Sequence, residues 1–106
     1  MRRQLGYPPY TRLARFIVEG KREKDVRAKS EAIKSAIEAA SQRTKVNVLG
    51  PAPAPISIIG GKLRWHVIAM TPTSGDMRRL LADIRGVLEH GKGARVTTDV
   101  DALNML

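Results

Sequence analysis

The sequence predicts an α+β fold in which two helices cover one face of a four-stranded antiparallel sheet. Four short stretches show the alternating apolar pattern of strands, and two longer stretches repeat apolar residues at helical spacing. Their order along the chain is β-α-β-β-α-β, and Gly60-Gly61 joins the two middle strands as a two-residue hairpin turn would. We therefore expect a single domain of ferredoxin-like βαββαβ topology.

The first part of the chain supplies a strand and a helix after an extended lead-in. Residues 1–11 contain a glycine and two prolines, which interrupt any helix. We expect them to form a lead-in or linker to a domain of residues 12–106. Residues 13–19 alternate as a strand. Residues 23–41 repeat apolar positions at helical spacing and are predicted to form an amphipathic helix.

The centre of the chain combines a proline run with the hairpin. Residues 45–49 alternate as a short strand, and the prolines that follow are predicted to leave the hydrogen-bonded ladder. Residues 56–59 and 62–70 flank Gly60-Gly61 and are predicted to pair. In this topology the first and third strands are central. The second strand is at an edge, where prolines remove no ladder bond.

The last part supplies a second helix and a final strand. Ser74 is predicted to cap a helix that ends near Gly91 and Gly93. The apolar stripe of this helix contains Met77, Leu80, Leu81, Ile84, Val87 and Leu88. Residues 94–100 alternate as the last strand.

The composition is that of a basic globular domain. The 106 residues include 19 Lys and Arg against 10 Asp and Glu, and the net charge of +9 favours an anionic partner. A basic domain without such a partner is the alternative on charge alone. The chain has no cysteine and its two histidines are far apart in sequence, so we expect no metal site. It shows neither a signal-peptide core nor a membrane-spanning stretch, so we expect a cytoplasmic protein.

Strand alternation separates candidate binding residues from core residues. Five residues are predicted to point away from the helices and to form a basic face that binds phosphates or an acidic peptide: Arg15, Lys62, Arg64, His66 and Arg95. Trp65 has the opposite parity and is predicted to be a structural anchor in the core. A merely solvated row of charges is the simpler interpretation of the same strand. Ile17, Ile68 and Met70 add apolar surface to this face, which favours docking to another domain.

No catalytic constellation accompanies these residues. The chain lacks a phosphate-binding glycine loop ending in Lys-Ser/Thr, a His-Glu-x-x-His motif, and a nucleophile with its base and orienting group. Asp99 and Asp101 share a strand face, but two carboxylates alone are a weak indication of a metal. The cations around the first helix, among them Lys21, Arg22 and Lys24, are interpreted as solvated surface.

Four motifs occur in a fixed order along the chain. They are RQLGYPPY at residues 3–10, LGPAPA at 49–54, GKLRWH at 61–66 and DVD at 99–101. Together they closely resemble the C-terminal domain of the PriA family of primosomal replication-restart helicases, over essentially all of the chain. The resemblance implies a fragment of a larger protein, in which the helicase lobes, a zinc-binding insertion and an N-terminal DNA-binding domain would precede Met1.

The resemblance also implies a function. The parent would be an ATP-dependent 3′–5′ DNA helicase, and this domain would be non-catalytic, with ATP and zinc bound only in the missing parts. The implied partners are single-stranded or forked DNA, the acidic tail of single-stranded DNA-binding protein, and the helicase lobes of the same polypeptide, with no membrane. Lys62 and His66 depart from the family's pattern, and Ala102 replaces the proline usual after DVD. Lysine keeps the charge but lacks the bidentate fork of arginine.

Other functional classes stay open from the residues themselves. A structural docking module could hold the helicase lobes in register without binding a ligand of its own. A small-molecule sensing domain or an RNA-binding ribosomal-type protein could share this topology, because fold alone does not specify function. The four motifs favour the helicase domain over both.

Overall fold

The six elements occur in the predicted order. They are β1 (Arg12–Gly20), α1 (Glu23–Ala40), β2 (Asn47–Ile59), β3 (Lys62–Thr71), α2 (Ser74–Glu89) and β4 (Arg95–Ala102). The computed structural model describes residues 10–89 and 93–102. The strand order is β2-β3-β1-β4, with all neighbouring strands antiparallel. This is a ferredoxin-like fold, and it confirms that β1 and β3 are central and β2 is at an edge.

The predicted lead-in lies almost entirely outside the described residues. Of residues 1–11, only Tyr10 and Thr11 are described. The backbone N–H of Thr11 donates to the carbonyl oxygen of Thr71 at 2.9 Å, and its hydroxyl donates to the carbonyl of Pro72 at 2.6 Å. The chain is therefore already held against the end of β3 one residue before β1 begins.

The two helices close one face of the sheet. Alternate residues of the central strands point into the core, where Phe16, Val18 and Val67 have no exposed surface. The helices contribute Val26, Ile33, Ile37, Ala40, Met77, Leu80 and Ile84 to the same cluster. Burial of each large apolar side chain contributes about 1.5–3 kcal/mol, so this layer supplies most of the stability of the fold. None of the helices within the described residues is long and apolar enough to cross a membrane.

The proline segment does not leave the sheet as predicted. β2 is one strand of 13 residues in which Ala52 pairs with His66 and Pro53 pairs with Trp65. Irregularities on either side of this pairing, between Leu49 and Ala52 and between Pro53 and Ile58, shift the register. The strand tolerates prolines because it lies at the edge of the sheet, where an N–H that would point to solvent can be absent. The two short predicted strands are thus the ends of one irregular strand.

The start of α2 differs by one residue from the prediction. The side-chain oxygen of Thr73, not of Ser74, accepts a hydrogen bond from the N–H of Asp76 at 3.0 Å. The carbonyl oxygen of Thr73 also accepts the N–H of Met77 at 3.1 Å. A hydroxyl side chain that accepts an N–H of the first turn is the usual cap of a helix start. Of the predicted end of this helix, Gly91 lies outside the described residues.

The hairpin turn has the predicted conformation. Gly60 and Gly61 both have positive φ, at 59° and 79°. Two successive residues with positive φ form the turn that matches the twist of paired strands, and glycine adopts it without steric cost. The turn thereby brings Lys62 to the start of β3.

Candidate nucleic-acid interface

Strand pairing defines the open face, which is the side of the sheet away from the helices. On β1 this face carries Leu13, Arg15, Ile17 and Glu19. The residues paired with them on β3 are Met70, Ile68, His66 and Arg64, and those on β4 are Asp101, Asp99, Thr97 and Arg95. The structure thus places four of the five candidate binding residues on three adjacent strands of one face. Lys62, the fifth, is exposed at the start of β3, where the strand leaves the turn.

Arg15 and His66 contact each other on this face. The Nε–H of Arg15 donates to Nδ1 of His66, with 3.4 Å between the nitrogens. Burial, and then the charge of Arg15, lower the pKa of His66 below its ordinary value. His66 is therefore neutral at neutral pH. Because Nδ1 accepts from Arg15, Nε2 carries the proton and can donate one hydrogen bond to a ligand.

Two carboxylates lie among the cations, so the open face is mixed and not uniformly basic. Glu19 is paired with Arg64 on one side and with Arg95 on the other. Asp99 is paired with Arg15 across β1 and β4. Cross-strand partners have Cβ atoms about 4.5–5.5 Å apart, near enough for opposite charges to attract. These carboxylates lower the net positive charge of the face.

On β1, β2 and β3 the far end of the open face is apolar. Leu13 is paired with Met70, and Ile68 is paired with Leu49 of the edge strand. Leu49 keeps 49% of its surface exposed, whereas Leu13, Ile68 and Met70 are half-buried. The open face therefore changes from a charged end, near the start of β3, to an apolar end, near the finish of β3.

Trp65 points to the helices and not to the open face. Its half-buried ring packs against the core cluster. The Arg27 guanidinium lies over the ring, 5.5 Å from its centroid, and pairs with Glu23 at 2.7 Å. A cation over an indole face is attracted by the negative face of the ring. A side chain of α1 therefore lies over the ring, and Trp65 packs with the core and not on the open face.

A cleft that sequence reasoning missed opens at the charged end of the sheet. It has a volume of about 720 Å³ and lies where β1 ends and where β3 and β4 begin. Five cations line it, namely Lys21, Arg22, Lys24, Lys62 and Arg95. Two of these belong to the predicted binding face, whereas the other three had been interpreted as solvated surface. The available signal was the Lys-Arg-Glu-Lys run directly after β1, because antiparallel pairing brings the end of β1 to the starts of both neighbours.

Lys29, another cation of α1, forms a hydrogen bond that links the two helices. Its ammonium group donates to the carbonyl oxygen of Val87, which ties α1 to α2. Burial lowers the pKa of Lys29 below its ordinary value. Arg43 makes a second link between the helical regions through an ion pair with Asp83 at 3.0 Å. Lys29 and Arg43 therefore differ in role from the cations that line the cleft.

Comparison with known proteins identifies the family. The family described as "Primosomal protein N C-terminal domain" matches residues 3–103. The chain belongs to the PriA C-terminal domain family. It is 27% identical over 106 residues to the replication restart protein PriA of Treponema pallidum and 36% identical over 72 residues to that of Synechocystis sp.. It is also 28% identical over 102 residues to that of Haemophilus influenzae. All three relatives are named as replication restart proteins.

The chain corresponds to a small part of these PriA proteins. The three matches cover 99%, 68% and 95% of the chain, but only 16%, 8% and 14% of the relatives. Among solved structures, a de novo designed protein, Foldit4, matches 86% of the chain and 96% of its own length with a TM-score of 0.60 and 17% identity. At that identity the similarity concerns the fold alone.

Proposed function

We propose that this PriA C-terminal domain is a non-catalytic binding domain that contacts single-stranded or forked DNA through the charged end of its open face. The observation that carries the proposal is the grouping of Arg15, Arg64 and Arg95 on one face of three adjacent strands, β1, β3 and β4, with Lys62 at the start of β3. Guanidinium groups bind phosphate oxygens through paired N–H donors. Alternate strand residues are about 6.6–6.8 Å apart, which is comparable to the repeat of a sugar-phosphate backbone.

The same face suits an acidic peptide, and we propose the acidic tail of single-stranded DNA-binding protein as its second ligand. Lys62 offers a charge, Arg64 a guanidinium fork, and His66 an Nε2–H donor. A charge-conserving Lys62→Arg substitution would add a bidentate donor. It is expected to tighten binding of a synthetic tail peptide, whereas Lys62→Ala should weaken it. Unchanged affinity in Lys62→Ala would contradict the peptide site.

A salt titration tests the DNA proposal. Oligothymidylate binding to the chain should weaken as salt rises, with a slope of about −0.7 in log–log form for each phosphate contacted. Arg64→Ala should reduce the magnitude of that slope by about 0.7. Arg78→Ala, which removes the same charge from the exposed surface of α2, is the matched control and should change it little. Salt-independent binding, or no binding at low salt, would contradict the DNA proposal.

The apolar end of the open face favours a second candidate function. Leu13, Ile68, Met70 and the exposed Leu49 could pack against the helicase lobes of the same polypeptide, which makes the domain a structural docking module. An Arg64→Ala variant that binds both DNA and the tail peptide as tightly as the original chain would favour docking over ligand binding.

We propose that the catalytic chemistry of the parent protein lies in regions outside this chain. ATP hydrolysis, zinc binding and 3′–5′ unwinding would belong to those regions, with the domain working on DNA in the cytoplasm. Sequence motifs for nucleotide or metal chemistry are lacking in the 106 residues, which supports this division. ATPase activity of the purified chain would overturn it.

A further inference from the structure

We propose that the cleft at the end of the sheet binds backbone phosphates of DNA, as a continuation of the open face around the corner between β1 and α1. This inference rests on the proposed function in taking DNA as the ligand, but it assigns a separate set of contacts. Those contacts are Lys21, Arg22 and Lys24, which lie between the end of β1 and the first turn of α1 and not on the strands of the open face.

The charge distribution in the cleft favours an anion. Lys21, Arg22, Lys24, Lys62 and Arg95 are all exposed, whereas the two carboxylates that share the cleft, Glu19 and Asp25, are half-buried. Within residues 10–89 and 93–102, none of these five cations forms an ion pair with a carboxylate. Five exposed cations converging on one concavity create a local positive potential, and concave walls concentrate it.

Asp25 is packed against the backbone of the cleft. Its carboxylate lies against the backbone of Gly93, so close that a Cβ at position 93 would overlap it. A Cβ at position 20 would likewise overlap the carbonyl oxygen of Gly93. The two glycines therefore let the end of β1 and the approach to β4 touch. They form a floor of backbone, above which the cationic side chains are exposed.

The position of the cleft connects it to the open face. Lys62 and Arg95 are the first residues of β3 and β4, so they line the cleft and also begin the strands that carry Arg64 and Thr97. A strand of DNA that follows β3 from His66 past Arg64 to Lys62 reaches the cleft next. Continuity of this kind favours a polyanion over an isolated anion, because an isolated phosphate would use only part of the charge.

The experiment compares two triple variants of the chain with equal loss of charge. The cleft variant is Lys21→Ala, Arg22→Ala and Lys24→Ala, and the control is Arg78→Ala, Arg79→Ala and Arg85→Ala on α2. Exposed substitutions of this kind leave the fold intact. Among the residues that the structure describes, the cleft cations form no ion pair and the Arg22 side chain makes no capping hydrogen bond. In the control, Arg79 and Arg85 lose only surface ion pairs, with Asp76 and Glu89. Binding of oligothymidylates of about five to about thirty nucleotides is measured at several salt concentrations.

The cleft variant should bind the longer oligothymidylates at least about tenfold more weakly at low salt, with the magnitude of the salt slope reduced by up to about 2. The control should lose less than about twofold. Equal losses in both triple variants would overturn the inference, because they would show an effect of net charge alone. Loss of tail-peptide binding with DNA binding intact would also overturn it and would make the cleft a peptide site.

A direct measurement avoids dependence on the variants. In the unsubstituted chain, titration with oligothymidylate should shift the backbone amide resonances of Gly20, Lys21 and Ala94. Shifts confined to the open face would overturn the inference and leave the proposed function intact. Weak binding by the cleft variant together with normal binding by Arg64→Ala would support the cleft and count against the open face as the DNA site.

Discussion

The two faces of the sheet place neighbouring residues of the same strands in opposite physical environments. On β1, Phe16 has no exposed surface under the helices, whereas Ile17 lies half-buried on the open face. On β3, Val67 is buried and His66 contacts Arg15 in a polar row. Burial on one side supplies the free energy that folds the domain. The other side is therefore free to carry charges whose use depends on a partner.

The same contrast recurs within the open face itself. Its charged end combines arginines with Glu19 and leads into the cleft, whereas its apolar end pairs Leu13 with Met70. A ligand with phosphates suits the first end and a protein surface suits the second. The proposed DNA binding and the proposed docking to helicase lobes therefore use different parts of one face.

The largest expected effect is on the free energy of unfolding. It comes from comparing substitutions at two adjacent positions, one on the covered face and one on the open face. Phe16→Ala should lower the free energy of unfolding by about 3–5 kcal/mol, because it removes a fully buried ring and leaves a cavity. Ile17→Ala should cost roughly 1 kcal/mol, since its side chain is only half-buried. Urea denaturation followed by the fluorescence of the single tryptophan measures both. Equal losses would show that the open face contributes to stability as much as the core does.

A smaller effect tests how closely the backbone and side chains pack at the charged end of the sheet. Gly93→Ala should lower the free energy of unfolding by about 1–3 kcal/mol, because φ is 79° and a Cβ would overlap Asp25. Gly86→Ala is the matched control in α2, where an added Cβ meets nothing within 4 Å. It should stabilise the chain by about 0.5–1 kcal/mol. If thermal denaturation showed no loss for Gly93→Ala, the close packing at the floor of the cleft would be contradicted.

The smallest expected effect is a pH dependence of the free energy of unfolding. It arises from His66 on the open face, whereas its buried neighbour Val67 does not titrate. The pKa of His66 is lowered by burial and by Arg15, whereas an unfolded chain has a histidine pKa of about 6.5. Between the folded value and about 6.5, the unfolded chain binds a proton that the folded chain does not. The free energy of unfolding should therefore be highest above this interval and fall as pH falls through it.

The measurement is the free energy of unfolding as a function of pH in a His90→Gln background, which leaves one histidine. His66→Gln in the same background should remove this part of the pH dependence. Arg15→Ala should raise the pKa of His66 partway, as read from its imidazole resonances, because the second cause of the shift is then absent. An identical pH profile with and without His66 would assign the effect to the carboxylates instead.

The spacing of apolar residues predicts most of the fold, because the geometry of a helix or a strand decides which residues face the core. The 3.6-residue spacing of Val26, Ile33 and Ile37 predicts the buried side of α1, and all three are fully buried. The period of two predicts that Phe16 and Val18 share a side. Gly60-Gly61 predicts the turn because few other residues adopt positive φ twice in succession. These features depend on residues close together in the chain.

The features that sequence reasoning missed depend on tertiary position. The edge position of β2 and its tolerance of prolines are predicted, but the prolines stay within one strand of 13 residues and do not leave the ladder as the sequence predicts. The partner of Asp99 could not be predicted, because its pairing with Arg15 depends on the register between β1 and β4. Local periodicity does not specify that register, since Arg15 and Asp99 lie 84 residues apart in the chain (99 − 15).

The sequence by itself determined the order of elements, the covered side of each strand, the basic charge and the resemblance to a PriA domain, because each is local or compositional. Only the tertiary structure decided which cations meet. Lys21, Lys62 and Arg95 are separated along the chain, yet they line one cleft because antiparallel pairing brings the end of β1 to the starts of β3 and β4. Charge convergence of this kind is a property of strand register, and no local pattern specifies it.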